Sequence, residues 1–263
     1  MKVKLQGVME TMLITLVARA RDFHSSNSIL NDKKSAEMVE QIDYDFSAFP
    51  REFKNDMGVL ARAKTMDTEI RKFIHAYPDA HIVSIGSGLD TRFHRLDNGK
   101  IHWYDLDFPD VIEVRKKFFQ ESERVKFISK SALDETWTKE IDLQGKKLLI
   151  ISEGVIMYFQ PEEIKKFLNL LTDNFEQFEL HLDCISKIMV GKATANRAVK
   201  KTNVQFYFGV KDGSELLELN PKLKQIGCIN FTDEMKKHLR GFQRLMTPVI
   251  YLFNNRLVQY TYN

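Results

Sequence analysis

The chain is poor in the residues that staple a fold or cross a membrane. Its 263 residues include two cysteines, six prolines and two tryptophans. No apolar run reaches the ~18 residues of a bilayer span, so no transmembrane helix is expected. Cys184 and Cys228 stand at no metal-ligand spacing, and we expect free, buried thiols in a reducing compartment. None of the seven histidines has another four residues away, so there is no helical zinc pair and no metal site is expected.

Charge of one sign is also missing. Lys and Arg number 39 against 36 Asp and Glu, a formal net charge of +3. The two signs alternate along the chain, so no nucleic-acid partner is expected. Lys2 and Lys4 precede a short apolar patch, but Glu10 interrupts it and Arg19 closes it. We read an amphipathic helix there rather than a signal peptide, and hence a cytoplasmic protein with no membrane partner. Repeats, linkers and low-complexity tracts do not stand out. A hydrophobic content of 43% supports one sizeable domain.

What the sequence does have is concentrated in residues 82–109. Ile82-Val83-Ser84-Ile85 enters Gly86-Ser87-Gly88, and a second run, Ile101-His102-Trp103-Tyr104-Asp105-Leu106-Asp107, ends at Phe108-Pro109. A strand entering a Gly-x-Gly turn, with an acid at the end of the next strand, is the layout of a nucleotide-binding βαβ unit. Gly86 and Gly88 lack a Cβ and can let a ligand approach the backbone. Asp107 lies about 20 residues past Gly86, the spacing at which a carboxylate meets a ribose hydroxyl pair. Asp105 shares its face, and only one of the two need meet a ribose; the spacing favours Asp107. The third glycine of the dinucleotide fingerprint is absent, because Thr91 stands there. That glycine serves close helix–strand packing beside a pyrophosphate, so NAD and FAD are disfavoured. S-adenosylmethionine (SAM) has a ribose and an adenine but no pyrophosphate, and fits the change. An ordinary tight turn is the plain alternative.

Three blocks carry a resemblance: Ser84-Ile-Gly-Ser-Gly-Leu-Asp-Thr-Arg-Phe-His-Arg95, Trp103-Tyr-Asp-Leu-Asp-Phe-Pro109 and Ser152-Glu-Gly-Val-Ile-Met-Tyr-Phe159. In this order they resemble the leucine carboxyl methyltransferase family. Its members include polyketide O-methyltransferases of the tetracenomycin type and the enzyme that methylates a protein's C-terminal leucine. The opening Glu10-Thr-Met-Leu-Ile-Thr-Leu-Val-Ala-Arg-Ala20 resembles the N-terminal helix of the small-molecule branch, and the whole resemblance covers residues 10–160. It implies a Rossmann-like α/β fold with a mostly parallel seven-stranded sheet, an N-terminal helical lid and a cap insertion. It implies SAM as cofactor. It places Arg62, in an Arg-x-x-x-x-Asp helix with Asp67, on the SAM carboxylate, where a guanidinium can pair bidentately. It places Asp107 on the ribose, Ser131 and Ala132 beside the adenine, and Glu153 in contact with SAM. Protein-methylating members have Asp-Leu at the Ser131-Ala132 position.

On that resemblance the chain is expected to divide as one methyltransferase domain, 1–263: a lid at 1–77, a SAM-binding core at 78–185, a cap insertion at 186–220 and the end of the sheet at 221–263. Helices are expected at 8–23, at 30–42 behind the caps Asn31 and Asp32, at 59–77, at 109–120 and at 161–171. Val59, Ala63, Met66, Ile70, Phe73 and Ile74 form one stripe of the third, and Arg62 lies off it, where surface exposure is the default. Residues 44–50 read as a loop with exposed aromatics, and Asp134 as a helix cap. Residues 148–152 form a continuous apolar run suited to a buried parallel strand. Glu153 stands at its carboxyl end, where open α/β sheets bind ligands. Met157, Tyr158 and Phe159 read equally as core or as a border of the methyl exit path. His181 and Asp183 share a strand face, and a hydrogen-bonded core histidine is the preferred account. Phe206, Tyr207 and Phe208 are pocket-wall candidates in the cap. Asn254 and Asn255 precede a last strand at 256–262, or else turn a hairpin from 249–253.

The leaving group in methyl transfer from SAM is already activated, so the protein mainly aligns a nucleophile and excludes water. A carboxylate nucleophile is ionised at neutral pH and needs no general base, whereas a phenol benefits from one. His94, His181 and Tyr158 have no spacing that marks a base, and no catalytic residue is assigned. The expected function is SAM-dependent O-methylation of a small-molecule acceptor, a carboxylic acid or phenol of polyketide type. The alternatives are a protein C-terminal carboxyl methyltransferase, disfavoured by the N-terminal block, and a non-catalytic SAM-binding protein, disfavoured by Arg62 and Glu153. The oligomeric state stays open.

Overall fold

The structure is a computed structural model that describes residues 11–49, 53–191 and 205–263. Its strands are β1 His81–Ile85, β2 His102–Asp107, β3 Val125–Ser129, β4 Leu148–Ser152, β5 Phe178–Cys184, β6 Lys224–Asn230 and β7 Arg256–Tyr262. They form one sheet in the order β3-β2-β1-β4-β5-β7-β6. The strands β1 to β5 are parallel, and β7 is antiparallel to both β5 and β6. Every residue of β1 and β4 is buried, which suits the apolar run Leu148–Ile151 of β4 and the mostly apolar β1, with its buried His81 and Ser84, in the middle of a sheet covered on both faces.

The helices are α1 Thr11–Phe23, α2 Lys33–Gln41, α3 Phe53–Ala76, α4 Arg92–Leu96, α5 Pro109–Arg115, α6 Pro161–Asn174, α7 Ser214–Leu219, α8 Thr232–His238, α9 Gly241–Leu245 and α10 Thr247–Phe253. Strand alternation divides the packing between them. Val83, Ile85, Leu106, Ile150 and Leu182 meet Ile164, Phe167, Leu168 and Leu171 of α6 on one face. Ile82, Trp103, Leu149, Ile151 and Leu257 meet Met66, Ile70, Phe73 and Ile74 of α3 on the other. Each such side chain contributes about 1.5–3 kcal/mol when fully buried. Leu13, Leu16 and Val17 of α1 join Met38 of α2, Leu89 and Val114 in a smaller cluster, which fixes the N-terminal helices beside the turn after β1. Residues 1–10 and 50–52 of the expected lid, and 192–204 of the expected cap, lie outside the described residues.

Several local expectations change. The helix from Pro109 ends at Arg115, not near Gln120, and turns carry the chain to Phe118. Residues 44–49 are not an exposed loop: Tyr44 stacks on Phe49 at 5.5 Å, and Phe49 is buried. Residues 249–253 belong to a helix, so the hairpin alternative fails and β7 pairs instead with β5 and β6. Pro248 in the first turn of that helix supplies a preset φ there. Cys184 is buried as expected, but Cys228 is exposed because β6 is the edge strand. Asp134 does cap its helical turn, accepting from the Thr136 amide at 2.9 Å.

Candidate active site

The strand order reverses between β1 and β4, since β2 lies on one side of β1 while β4 and β5 continue on the other. Such a switch point opens a crevice at the carboxyl ends of the strands. The candidate cofactor residues singled out from the sequence come to that rim. Gly86 and Gly88 follow β1, Asp107 ends β2, Ser131 and Ala132 follow β3, and Glu153 follows β4. Arg62 reaches the rim from α3, giving Nε–H to Glu153 Oε1 at 2.8 Å.

Asp105 and Asp107 have separate tasks. Asp105 is buried, and its carboxylate accepts from Trp103 Nε1 at 3.0 Å and from Arg115 Nη2 at 2.7 Å. That pairing ties β2 to α5. Asp107 is only half-buried; its Oδ2 accepts the Gly88 amide at 2.7 Å and its Oδ1 the Phe108 amide at 2.8 Å. Each oxygen keeps a lone pair for a further donor. Burial holds the Asp107 carboxyl above its ordinary pKa, against the pull of those two amides. The turn that carries Ser131 and Ala132 is tied to Asp107 on one side and to Trp137 on the other. The Lys130 amide bonds the Asp107 carbonyl at 3.0 Å, and the Ala132 carbonyl accepts from Trp137 Nε1 at 3.2 Å.

The two glycines owe their identity to the chain itself as well as to any ligand. Gly86 has φ +66°, and a Cβ there would lie 2.3 Å from Val155 Cγ2. Gly88 has φ +46°, and its Cβ would rest 3.5 Å from Met12 Cβ, so α1 lies directly over this turn. Thr91, in place of the third glycine, is buried and gives its hydroxyl to Asp32, the N-cap of α2.

Sequence reasoning missed the charge cluster beneath this rim. Arg92 of α4 gives Nε–H to Asp67 at 2.6 Å and also pairs with Asp90 and with Glu153. Arg95, one turn later, bridges Asp67 and Asp32, each at 2.8 Å. Arg19 of α1 lies 3.2 Å from Asp32 and donates to the Leu89 carbonyl at 2.9 Å. Asp183, at the end of β5, accepts from Arg62 Nη1 at 3.1 Å and from the Gly154 amide at 3.1 Å. Arg62, read from the residues alone as a surface side chain, is therefore held between two carboxylates. Burial opposes ionisation of Glu153, yet Arg62 and Arg92 outweigh it and leave the carboxyl below its ordinary pKa. Burial wins at Asp183, which has one shared arginine, and pushes its pKa up to about 6. The visible signal was the Arg92–Arg95 spacing, which puts both on one face of a short helix.

The three base candidates differ in placement. His94 stacks on Phe119 at 5.4 Å, and burial with nearby Lys34 holds its pKa down. His181 Nε2 lies 3.2 Å from Gln259 Nε2 inside the sheet packing, with Nδ1 buried and unpartnered. Tyr158 interacts electrostatically with Arg62, and its ring lies 5.7 Å from that of Phe206. Met157 is buried and its carbonyl accepts the Tyr207 amide at 2.9 Å, while Phe208 packs against the main core. Among the described residues no group of three His, Cys, Asp or Glu side chains is placed to hold a metal.

The family model described as leucine carboxyl methyltransferase matches residues 12–172 of this chain. The tetracenomycin polyketide synthesis O-methyltransferase TcmP of Streptomyces glaucescens is 28% identical over 223 residues, covering 84% of this chain and 82% of the relative. The S-adenosyl-L-methionine-dependent methyltransferase dpfgK of Gibberella zeae is 30% identical over 247 residues, covering 85% and 82%. The crystal structure of magnesium protoporphyrin IX methyltransferase (ChlM) from Synechocystis with bound SAM aligns with a TM-score of 0.52 at 9% identity, covering 89% and 95% of the two chains. At that identity the likeness is one of fold.

Proposed function

The chain belongs to the leucine carboxyl methyltransferase family of SAM-dependent methyltransferases, and from that premise we propose that it methylates an oxygen of a small acceptor, a carboxylic acid before a phenol. The observation that carries the cofactor side is the opposed pair Arg62–Glu153 at the switch point. A guanidinium and a carboxylate side by side match the two charges of an amino-acid zwitterion. Arg62 is the partner for its carboxylate and Glu153 for its ammonium. Asp107, half-buried with lone pairs to spare, is the partner for ribose hydroxyls. Ser131 and Ala132, beyond Asp107 on the neighbouring strand end, border the adenine. Gly86 and Gly88 let the backbone pass close, and α1 over Gly88 acts as the lid.

Bound SAM supplies a methyl group on a sulfonium, an activated leaving group. The chain then has to align an acceptor oxygen and keep water out. The aromatic pair Tyr158 and Phe206 forms an apolar wall beside Arg62. His94 and His181, the two histidine candidates, are taken up by packing. An acceptor ionised at neutral pH needs no general base, hence the preference for a carboxylic acid. The name of the TcmP relative, which matches over four-fifths of both chains, supports oxygen as the target and a polyketide-like acceptor.

The test has two stages. Calorimetric titration with S-adenosylhomocysteine (SAH) is expected to show one site, which Asp107→Ala abolishes and Arg62→Ala weakens for SAM and SAH alike. Methyl transfer from labelled SAM to a panel of aromatic acids and phenols then reports the target. Methyl esters release their label in mild base and ethers do not. Turnover of phenols alone would refute the carboxylic-acid reading, and silence toward SAH would refute the site.

A further inference from the structure

The connection between β6 and β7 lies on the same rim as the candidate site. Strand β6 runs parallel to β1–β5, so its carboxyl end and the start of β7 stand beside the ends of β4 and β5. Helix α8 is seated there, with Met235 and Leu239 against Met57 and Ala61 of α3 and with Ile250 of α10 beside them. Two bonds hold α10 by its backbone: Ser186 Oγ donates to the Leu252 carbonyl at 2.8 Å, and Asn230 Nδ2 to that of Tyr251 at 2.9 Å.

The outer side of this α9–α10 pair is apolar. Phe242 and Leu245 are each 74% exposed and Leu252 is 56% exposed, and Met246, Val249, Tyr251 and Phe253 are exposed as well. Single exposed leucines are ordinary, but seven large apolar side chains within 242–253 form an interaction surface. Along the stretch itself the charge has one sign. From residue 235 to the last residue there is no Asp or Glu, while Lys236, Lys237, Arg240, Arg244 and Arg256 are present. Lys236 and Lys237 are paired with Asp233 and Glu234. Arg240 and Arg244, which flank Phe242 and Leu245, are exposed and have no ion pair among the described residues.

This pattern selects an occupant. An isologous contact with a second copy would bring the same arginines of both copies into one interface with no carboxylate of the stretch between them. A neutral apolar partner leaves them unused. A surface that offers hydrocarbon and phosphate together uses both features, with aromatic and aliphatic side chains at the headgroup boundary and arginines on the phosphates. We propose that the α9–α10 face docks peripherally on an anionic lipid bilayer. No helix of the described residues is long and apolar enough to cross a membrane, so the contact lies in the surface plane. The expectation of no membrane partner rests on spanning length and on the N-terminus; this face revises it. The docked surface adjoins the switch-point rim, where an apolar acceptor dissolved in lipid is delivered.

The experiment is co-sedimentation of the full chain with vesicles of phosphatidylcholine alone and of phosphatidylcholine mixed with phosphatidylglycerol. Binding to the anionic vesicles, reversed by salt, is expected. The double variant Phe242→Ser, Leu245→Ser should lose it. The double variant Arg240→Gln, Arg244→Gln should lower the partition coefficient by a factor of about 30, roughly fivefold for each arginine. All four side chains are exposed, so thermal unfolding should match the parent in both variants and separates lost binding from lost fold. Absence of binding, or equal binding to neutral and anionic vesicles, overturns the proposal. So does a dimer in sedimentation velocity that Phe242→Ser, Leu245→Ser dissociates, since that assigns the face to a second copy.

Discussion

Replacing Asp183 with Asn is expected to stabilise the fold at alkaline pH while weakening the site. Asp183 is fully buried, and its partners are Arg62 at 3.1 Å, the Gly154 amide at 3.1 Å and Asn255 Nδ2 at 3.3 Å. Burial outweighs the attraction of Arg62 and raises the carboxyl from 3.8 to about 6. A raised carboxyl favours folding while it is protonated. That contribution is complete below the unfolded value and is lost as pH rises through the folded one. A shift of about two units corresponds to roughly 3 kcal/mol of unfavourable charge burial at about pH 8. Asn keeps the shape and removes the charge. The variant should therefore melt roughly 5–10 °C higher than the parent at about pH 8. The gap should fall to about half near pH 5 and nearly close near pH 4, where both proteins are neutral at this position. Thermal unfolding without cofactor at the three pH values reads it directly. A variant less stable than the parent at alkaline pH, or a gap indifferent to pH, would refute the reasoning and mean that the attraction of Arg62 exceeds the cost of burial. SAH affinity should fall about tenfold in the same variant, because Arg62 loses one of its two charged anchors.

The remaining predictions concern the support of the site. Arg92→Gln leaves Asp67, Asp90 and Glu153 without a shared buried cation, and unfolding should show a loss of about 3–5 kcal/mol; a loss under about 1 would mean that Arg95 and Arg62 suffice. Gly86→Ala should destabilise, since its Cβ meets Val155 Cγ2 at 2.3 Å, and Val155→Ala in the same chain should recover part of the loss; strictly additive effects would rule out that contact. Asp105→Asn and Asp107→Ala should separate cleanly. The first lowers the melting temperature through Arg115 and Trp103 with SAH binding kept, and the second loses SAH binding with little change in melting.

Much of the fold is legible in the chain because the central strands are buried on both faces. Such strands announce themselves as short apolar runs, unbroken over Leu148–Ile151 of β4 and interrupted by Ser84 in β1. Met66, Ile70, Phe73 and Ile74 of the expected stripe likewise name the side of α3 that meets the sheet, while Ala63 packs on Leu30 and Leu60 and Val59 is only half-buried. The expectations that failed sit where local signals compete. Asn254-Asn255 is a hairpin signal by composition, but Pro248 and the helical turn it opens occupy the residues a first strand would need. Cys228 reads as buried because cysteine usually is, yet its strand is the sheet edge, a fact set by strand order rather than by any neighbour in sequence.

The site divides the same way. Residues placed by the backbone were readable: Gly86, Gly88, Asp107 and Glu153 each stand at the end of a strand, and strand ends follow from local pattern. Arg62 was readable only through resemblance, because its partners Glu153 and Asp183 lie 91 and 121 residues away and nothing near it in sequence announces them. Arg19, Asp32, Asp67, Arg92 and Arg95 likewise pair with one another only after α1, α2, α3 and α4 meet. A buried charge without a partner is prohibitive, so these residues are tolerated only if the helices dock in this one arrangement. The cluster that seats Arg62 and Glu153 thus also registers the N-terminal helices over the turn after β1. Cofactor affinity and the seating of those helices should accordingly fall together when Arg95 or Asp32 is neutralised, even though neither stands among the proposed cofactor contacts.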